Sequence, residues 1–186
     1  ALLSMQNVRQ AGRPGDQPGI MEQLLEGWRY VAGFRPIRSL MLLLSWLCLV
    51  AMPFSVLMPV FADKILGGGP HTLGFLMTAS GAGALSGALW LATRRSVVGL
   101  GRVILINTAV FGVGLIGVAS SRWLWLSLVF MVVVGVGMMV QMASTNTVIQ
   151  TIVDDEKRGR VMSFYTMAFL GTAPFGSLLA GALSTR

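Results

Sequence analysis

Five long stretches of this chain contain no Asp, Glu, Lys or Arg: Ser39–Ala62, Ile65–Thr93, Val103–Ser121, Trp123–Val153 and Val161–Thr185, of 24, 29, 19, 31 and 25 residues. Each exceeds the roughly 18 charge-poor residues that mark a transmembrane helix, and no soluble fold places five in succession. The deficit of charge is general. Lys and Arg number 14 and Asp and Glu 7 in 186 residues, or 11%, where a soluble domain carries roughly 25%. Such a chain cannot clothe a globular surface in water. Disorder, a disulfide scaffold built on the single Cys48 and an ordinary cytosolic enzyme are excluded on the same ground. A membrane barrel would alternate apolar and polar residues, and neither Met41-Leu42-Leu43-Leu44 nor Val129-Phe130-Met131-Val132-Val133-Val134 does so. The expected class is therefore all-α integral membrane, with spans near 39–62, 73–93, 103–121, 124–152 and 161–184 following a segment over 1–37.

The basic residues that remain are not scattered. Arg29, Arg35 and Arg38 precede the first run and Lys64 follows it; Arg94, Arg95 and Arg102 follow the second, Arg122 the third, Lys157, Arg158 and Arg160 the fourth, and Arg186 the fifth. Rich and poor connections alternate, as five crossings require. The positive-inside rule then puts the N-terminal segment and the second and fourth connections in the cytoplasm. The net charge of +7 is accounted for by anionic headgroups and topology, so no nucleic-acid partner is expected.

Residues 1–37 are of different composition. Met5–Gly19 is polar and rich in Gly, Pro, Gln and Arg, a flexible linker. From Ile20 the apolar Leu24, Leu25, Trp28, Val31 and Ala32 recur at helical spacing opposite Glu22, Glu26 and Arg29, until Pro36 ends the pattern. An amphipathic helix lying on the membrane surface is expected here. The chain begins at Ala1 with neither initiator Met nor signal peptide and stops at Arg186 at the end of a span, so both ends look cut from something longer.

Within the runs, Gly83 and Gly87 stand four apart beside a row of Ser80, Ala84, Ala88 and Ala92, the spacing that lets helix backbones approach. Pro53, Pro59 and Pro174 interrupt apolar runs, Pro174 between Gly171 and Gly176, and each predicts a kink. Polar side chains concentrate in the fourth run. Gln141, Ser144 and Thr145 share one helical face, while Asn146, Thr147 and Gln150 share the other. Amides in hydrocarbon demand water or a partner, so one face can line a cavity and the other bond to a neighbour. Trp46 and Met52 sit mid-span as candidate cavity walls, whereas Trp90, Trp123 and Trp125 fall near span ends.

Signals for catalysis are weak throughout. The single histidine, His71, is expected in an outer turn with no second ligand for a metal, and Cys48 is expected to be an inert mid-membrane thiol. Gly112-Val113-Gly114-Leu115-Ile116-Gly117 spells a dinucleotide fingerprint but lies inside a charge-free run without a preceding strand. No phosphate-binding loop ending in Gly-Lys occurs. No enzyme activity, cofactor or metal is expected, and the runs themselves carry no Asp, Glu, Lys or Arg that could couple transport to protons.

The stretch Asp154-Asp155-Glu156-Lys157-Arg158-Gly159-Arg160-Val161-Met162-Ser163, followed by Gly171-Thr172-Ala173-Pro174-Phe175-Gly176-Ser177-Leu178-Leu179-Ala180-Gly181, resembles the cytoplasmic loop and eleventh helix of major facilitator superfamily transporters. It is most similar to the branch containing the enterobactin exporter and related multidrug efflux proteins. Leu25-Glu26-Gly27-Trp28-Arg29-Tyr30 resembles the lead-in to that branch's seventh helix. The resemblance implies a partial bundle, helices seven to eleven of twelve. It implies a bacterial inner membrane location and, as partners, the lipid bilayer, a small-molecule substrate and a missing N-terminal half. The superfamily's Gly-x-Leu-x-Asp loop signature would fall on Gly87–Leu91 before Arg94 and Arg95, with Leu91 in place of the acid. Residues carried over as cavity lining are Trp46, Met52, Ser55, Gln141, Thr145 and Asn146. Arg94, Arg95, Asp154, Asp155, Glu156, Arg158 and Arg160 are carried over as gating or loop ion pairs, and a solvated basic loop is the alternative for them. The glycine-proline run lends support to an antiporter. The expected function is a piece of a secondary exporter of small amphiphilic molecules, drug-like or siderophore-like; the alternative is a non-transporting membrane scaffold.

Overall fold

A computed structural model describes residues 20–94 and 96–184, so the linker expected before Ile20, Arg95 and the last two residues lie outside the described residues. All regular structure among the described residues is helical. In chain order the helices are α1 (Ile20–Gly33), α2 (Arg35–Val60), α3 (Gly69–Thr93), α4 (Leu100–Ser120), α5 (Leu124–Ile152), α6 (Asp155–Gly171) and α7 (Ala173–Ser184). A π-helical turn over Phe61–Ile65 prolongs α2. Four segments are long and apolar enough to cross a bilayer: Arg35–Ile65, Gly69–Thr93, Leu100–Ser120 and Leu124–Ile152.

The fifth charge-free run differs from the single span expected near 161–184. It is shared between two helices, of which α6 begins in the charged loop at Asp155 and ends at Gly171. Pro174 is the cause: it has no N–H to give the carbonyl of Leu170, and its ring crowds that carbonyl. Thr172 occupies the break, where its hydroxyl donates to the Ala168 carbonyl at 2.9 Å and the Gly176 N–H closes on the Thr172 carbonyl at 3.0 Å. Proline acts differently at the start of α3. Pro70 lies in the first turn, where no helical donor is missed, so the helix opens at Gly69 and takes in His71, which is exposed.

The bundle is organised around α5, with α3 parallel to it and α4 antiparallel. Gly83 of α3 lies against the Val132 carbonyl, Gly87 against Val136 and Val140, and Gly135 of α5 against the backbone of Ser80 and Ala84. On the other side Gly114 lies against Val133 and Val134, and Gly137 against Asn107 and Phe111. A Cβ on Gly137 would stand 2.8 Å from the Phe111 nitrogen. Two members of the Gly112–Gly117 string, Gly114 and Gly117, are thus packing positions against α5, while Gly112 faces open space.

A second unit pairs α2 with α6 and α7, also parallel. α7 sits on α2 through Gly176, where an added Cβ would be 2.5 Å from the Met52 Cβ and 3.2 Å from the Pro53 Cδ. At the basic end Val31, Ile37, Met41, Leu44, Ile149, Val161 and Tyr165 form one buried cluster that joins α1, α2, α5 and α6. There α1 rests on α6 through Gly27 against Phe164 and through Lys157, whose ammonium lies 4.7 Å from the Tyr30 ring centre. Trp28 remains 59% exposed, so the wet-looking face of α1 is apolar where lipid would meet it.

Gly135→Val is expected to lower stability by ~3 kcal/mol, the upper end of the usual overpacking range, because its added atoms meet backbone rather than movable side chains. Gly112→Ala is expected to be neutral or stabilising by up to ~1 kcal/mol, since helix propensity improves and nothing is displaced. Thermal unfolding in detergent, followed by tryptophan fluorescence, checks both; equal effects would show that the α3–α5 contact does not hold the bundle.

Candidate functional site

A cavity of about 240 Å³ lies where α2 meets α3, α4 and α5. From α2 it is lined by Met52, Ser55 and Met58, which recur every third residue and so share a face. Met77 and Ser80 come from α3, Phe111 from α4, and Met131 and Met138 from α5. No charged side chain is among the lining residues, and five of them are methionine. Thioethers are unbranched, polarisable and easily repacked, so this wall can follow the outline of different apolar or aromatic guests. Pro53 and Pro59 flank the site in sequence. Their missing donors release the carbonyls of Leu49 and Ser55 from the helix ladder, which adds polar acceptors beside an otherwise apolar wall.

Of the residues singled out from the sequence, Met52 and Ser55 line this cavity. Trp46 does not: it stands nine residues before Ser55, on the other side of α2, and is 68% exposed. Gln141, Ser144 and Thr145 are fully buried on the continuation of the α5 face that Gly137 presses onto α4. The Gln141 Nε2 donates to the Thr145 Oγ1 at 3.3 Å, while Gln141 Oε1 and Ser144 Oγ have no partner among the described residues. Asn146 is half-buried and accepts from Gln150 Nε2 at 2.8 Å, and Thr147 is exposed and bonds back to the Ala143 carbonyl at 2.9 Å. The two polar faces expected on this helix are therefore a dry seam and an open edge. Met58, Met77, Met131 and Met138 were not singled out, and Ser80 stood only in a small-residue row. The only signal in the sequence for these methionines is the abundance of the residue, 12 in all.

The charged candidates lie at the basic end. Arg158 pairs with Asp155 at 2.6 Å across one helical turn, with side chains 44% and 86% exposed, a geometry worth little in water. Asp154 is exposed at the entrance to α6, and its carbonyl accepts from the Lys157 N–H at 2.9 Å. Arg160 is half-buried beside Gly27, and the Glu156 side chain lies outside the described residues. Arg94 is exposed, its guanidinium 5.3 Å from the centre of the Trp90 ring.

An apolar helical bundle with a yielding, uncharged cavity fits what comparison with known proteins finds. A family model described as transmembrane secretion effector, of the major facilitator type, matches residues 2–186. The chain belongs to this family. It is 28% identical over 188 residues to the multidrug efflux pump Tap of Mycobacterium tuberculosis, a match covering 99% of the chain and 44% of that protein. It is 28% identical over 128 residues to the staphyloferrin A transporter of Staphylococcus aureus, covering 68% of the chain and 31% of that protein. The chain thus spans less than half the length of these curated relatives. No solved structure matches it. Family membership makes it a multi-pass membrane protein of a transporter family.

Burial of the Ser144 hydroxyl without a partner gives a direct test of the seam. Ser144→Ala is expected to raise stability by ~1 kcal/mol, because it removes a desolvated polar atom without opening a large hole. A fall in the unfolding temperature would show that the hydroxyl has a bonding partner in the membrane.

Proposed function

We propose that this chain forms part of a secondary exporter of small amphiphilic molecules, and that the methionine-lined cavity between α2 and α5 is one wall of its substrate site. The observation that carries this reading is the cavity itself: about 240 Å³, uncharged, bordered by five thioethers and two serine hydroxyls. Such a wall attracts molecules by apolar area and shape, with hydroxyls left to orient a polar edge. The names of the relatives, a multidrug efflux pump and a siderophore transporter, support export of compounds of this kind.

In this reading α2 to α5 are the seventh to tenth helices of a twelve-helix transporter, and α6 with α7 is a broken eleventh. The alternation of basic residues supports an N-terminal segment in the cytoplasm, in the inner membrane of a bacterium. The partner is the other half of the transporter, and substrate passes as two halves rock about a midplane site. The coupling group is assigned outside the runs of this chain, none of which holds an Asp, Glu, Lys or Arg. The scaffold alternative is less favoured, because Gly83 and Gly87, which it would offer to partner helices, lie against α5 within the chain.

Truncating Met52 or Met138 to Ala removes ~1 kcal/mol of apolar contact with a bound guest, about a fivefold loss in apparent affinity. In cells producing the protein from its complete gene, each variant is expected to raise the dye concentration needed for half-maximal efflux of a lipophilic fluorescent cation by about that factor. Membrane abundance, measured by immunoblot, should stay constant. Asn146→Leu, on the open edge of α5, tests whether the site reaches that face. Unchanged efflux by both methionine variants would remove the cavity from the transport path.

A further inference from the structure

α3 and α4 follow one another in sequence, yet each packs along α5, and a crevice opens between them toward the basic end of the bundle. It encloses about 510 Å³. Gly87 of α3 and Val136 and Val140 of α5 make its floor, and Ile106 and Asn107 of α4 make one wall. The absence of a side chain at Gly87 gives the floor its depth, since this glycine is itself pressed onto α5. Of the residues that line it, Trp90 and Ile106 are about half exposed, so apolar surface is left open along the crevice.

Its mouth carries the opposite chemistry. Arg94 lines the crevice, and its guanidinium is held over the Trp90 ring at 5.3 Å, an aromatic and a cation together at the level of the helix end. Arg102 stands exposed in the first turn of α4. From Ile65 to Val153 the sequence contains neither Asp nor Glu, so the three helices that form the crevice supply no carboxylate to these cations. Among the described residues the partner of Arg94 is the Trp90 ring. A cation that the three crevice helices leave without a carboxylate, at the mouth of an apolar slot, is complementary to one kind of molecule, a lipid with a negative head and a long tail.

We propose that the α3–α4 crevice is a binding site for one anionic phospholipid, with an acyl chain laid over Gly87 and Val140 and the phosphate held by Arg94. The lipid fills space that neither α3 nor α4 fills and so splints the two helices against α5. The site is separate from the methionine-lined cavity and does not depend on what that cavity transports.

The test uses the protein expressed from its complete gene, purified in mild detergent and titrated with phosphatidylglycerol or phosphatidylcholine, with retained lipid counted by native mass spectrometry. The wild type is expected to keep phosphatidylglycerol in preference to phosphatidylcholine. Arg94→Ala should reduce that preference about fivefold, and Arg94→Lys should keep most of it. Ile106→Trp, which leaves the charge in place and fills the slot, should lower the number of retained lipids by one. Equal preference in wild type and Arg94→Ala, or full lipid retention by Ile106→Trp, overturns the proposal. So does displacement of the lipid by sn-glycerol 3-phosphate as readily as by intact phosphatidylglycerol, which would assign the mouth to a soluble phosphate ester. Should Arg94→Ala fail to give a monodisperse protein, the lysine and tryptophan variants decide the outcome.

Discussion

Close approach of helix backbones along α5 is the contact on which the rest of the bundle depends. In lipid the apolar side chains of one helix gain little by leaving hydrocarbon for another helix, so association rests on van der Waals packing, which grows as the axes come together. Gly83 and Gly87 on one side and Gly114 and Gly137 on the other bring α3 and α4 onto α5 at backbone distance, and Gly135 returns the contact to α3. These seams fix where α3 and α4 stand. Their positions in turn leave the methionine-lined cavity on the α2 side of α5 and the crevice with Arg94 at its mouth between α3 and α4.

Much of this was legible in the sequence because the bilayer removes alternatives. A helix in hydrocarbon must satisfy its own backbone, so long charge-free runs have few ways to fold, and the four membrane-length helices coincide with the first four runs. The glycine spacing on α3 was visible for the same reason. The ends of elements were less visible. Whether a proline breaks a helix or starts one depends on whether a preceding carbonyl is waiting for its N–H, so Pro70 opens α3 while Pro174 divides the last run into α6 and α7.

The candidate site was legible only in part. Met52 and Ser55 fall on the cavity because both share the face of α2 that turns toward α5, a matter of spacing. Trp46 fails the same geometry by half a turn. Met77, Met131 and Met138 could not be chosen from 12 methionines without knowing which face of each helix turns inward, and apolar helices carry no polar side to announce it. The polar residues of α5 were legible as two faces, but not which of the two is covered. Gln141, Ser144 and Thr145 are fully buried, in line with a glycine that draws that face onto α4.

The pairing of α2 with α7 has a mechanical meaning. Gly176 rests on Met52 and Pro53, and one turn earlier the break at Thr172 lies level with the α2 carbonyl that Pro53 leaves unbonded. Two parallel rods are thus scored at the same height. Below the score line, the buried cluster around Ile37, Leu44 and Tyr165 clamps them to the bundle. Above it, they touch through a glycine that lets one lie flush on the other. Each rod lacks one backbone bond at that height, so bending there gives up fewer rungs than bending elsewhere, and the upper halves are the parts left free to lean together.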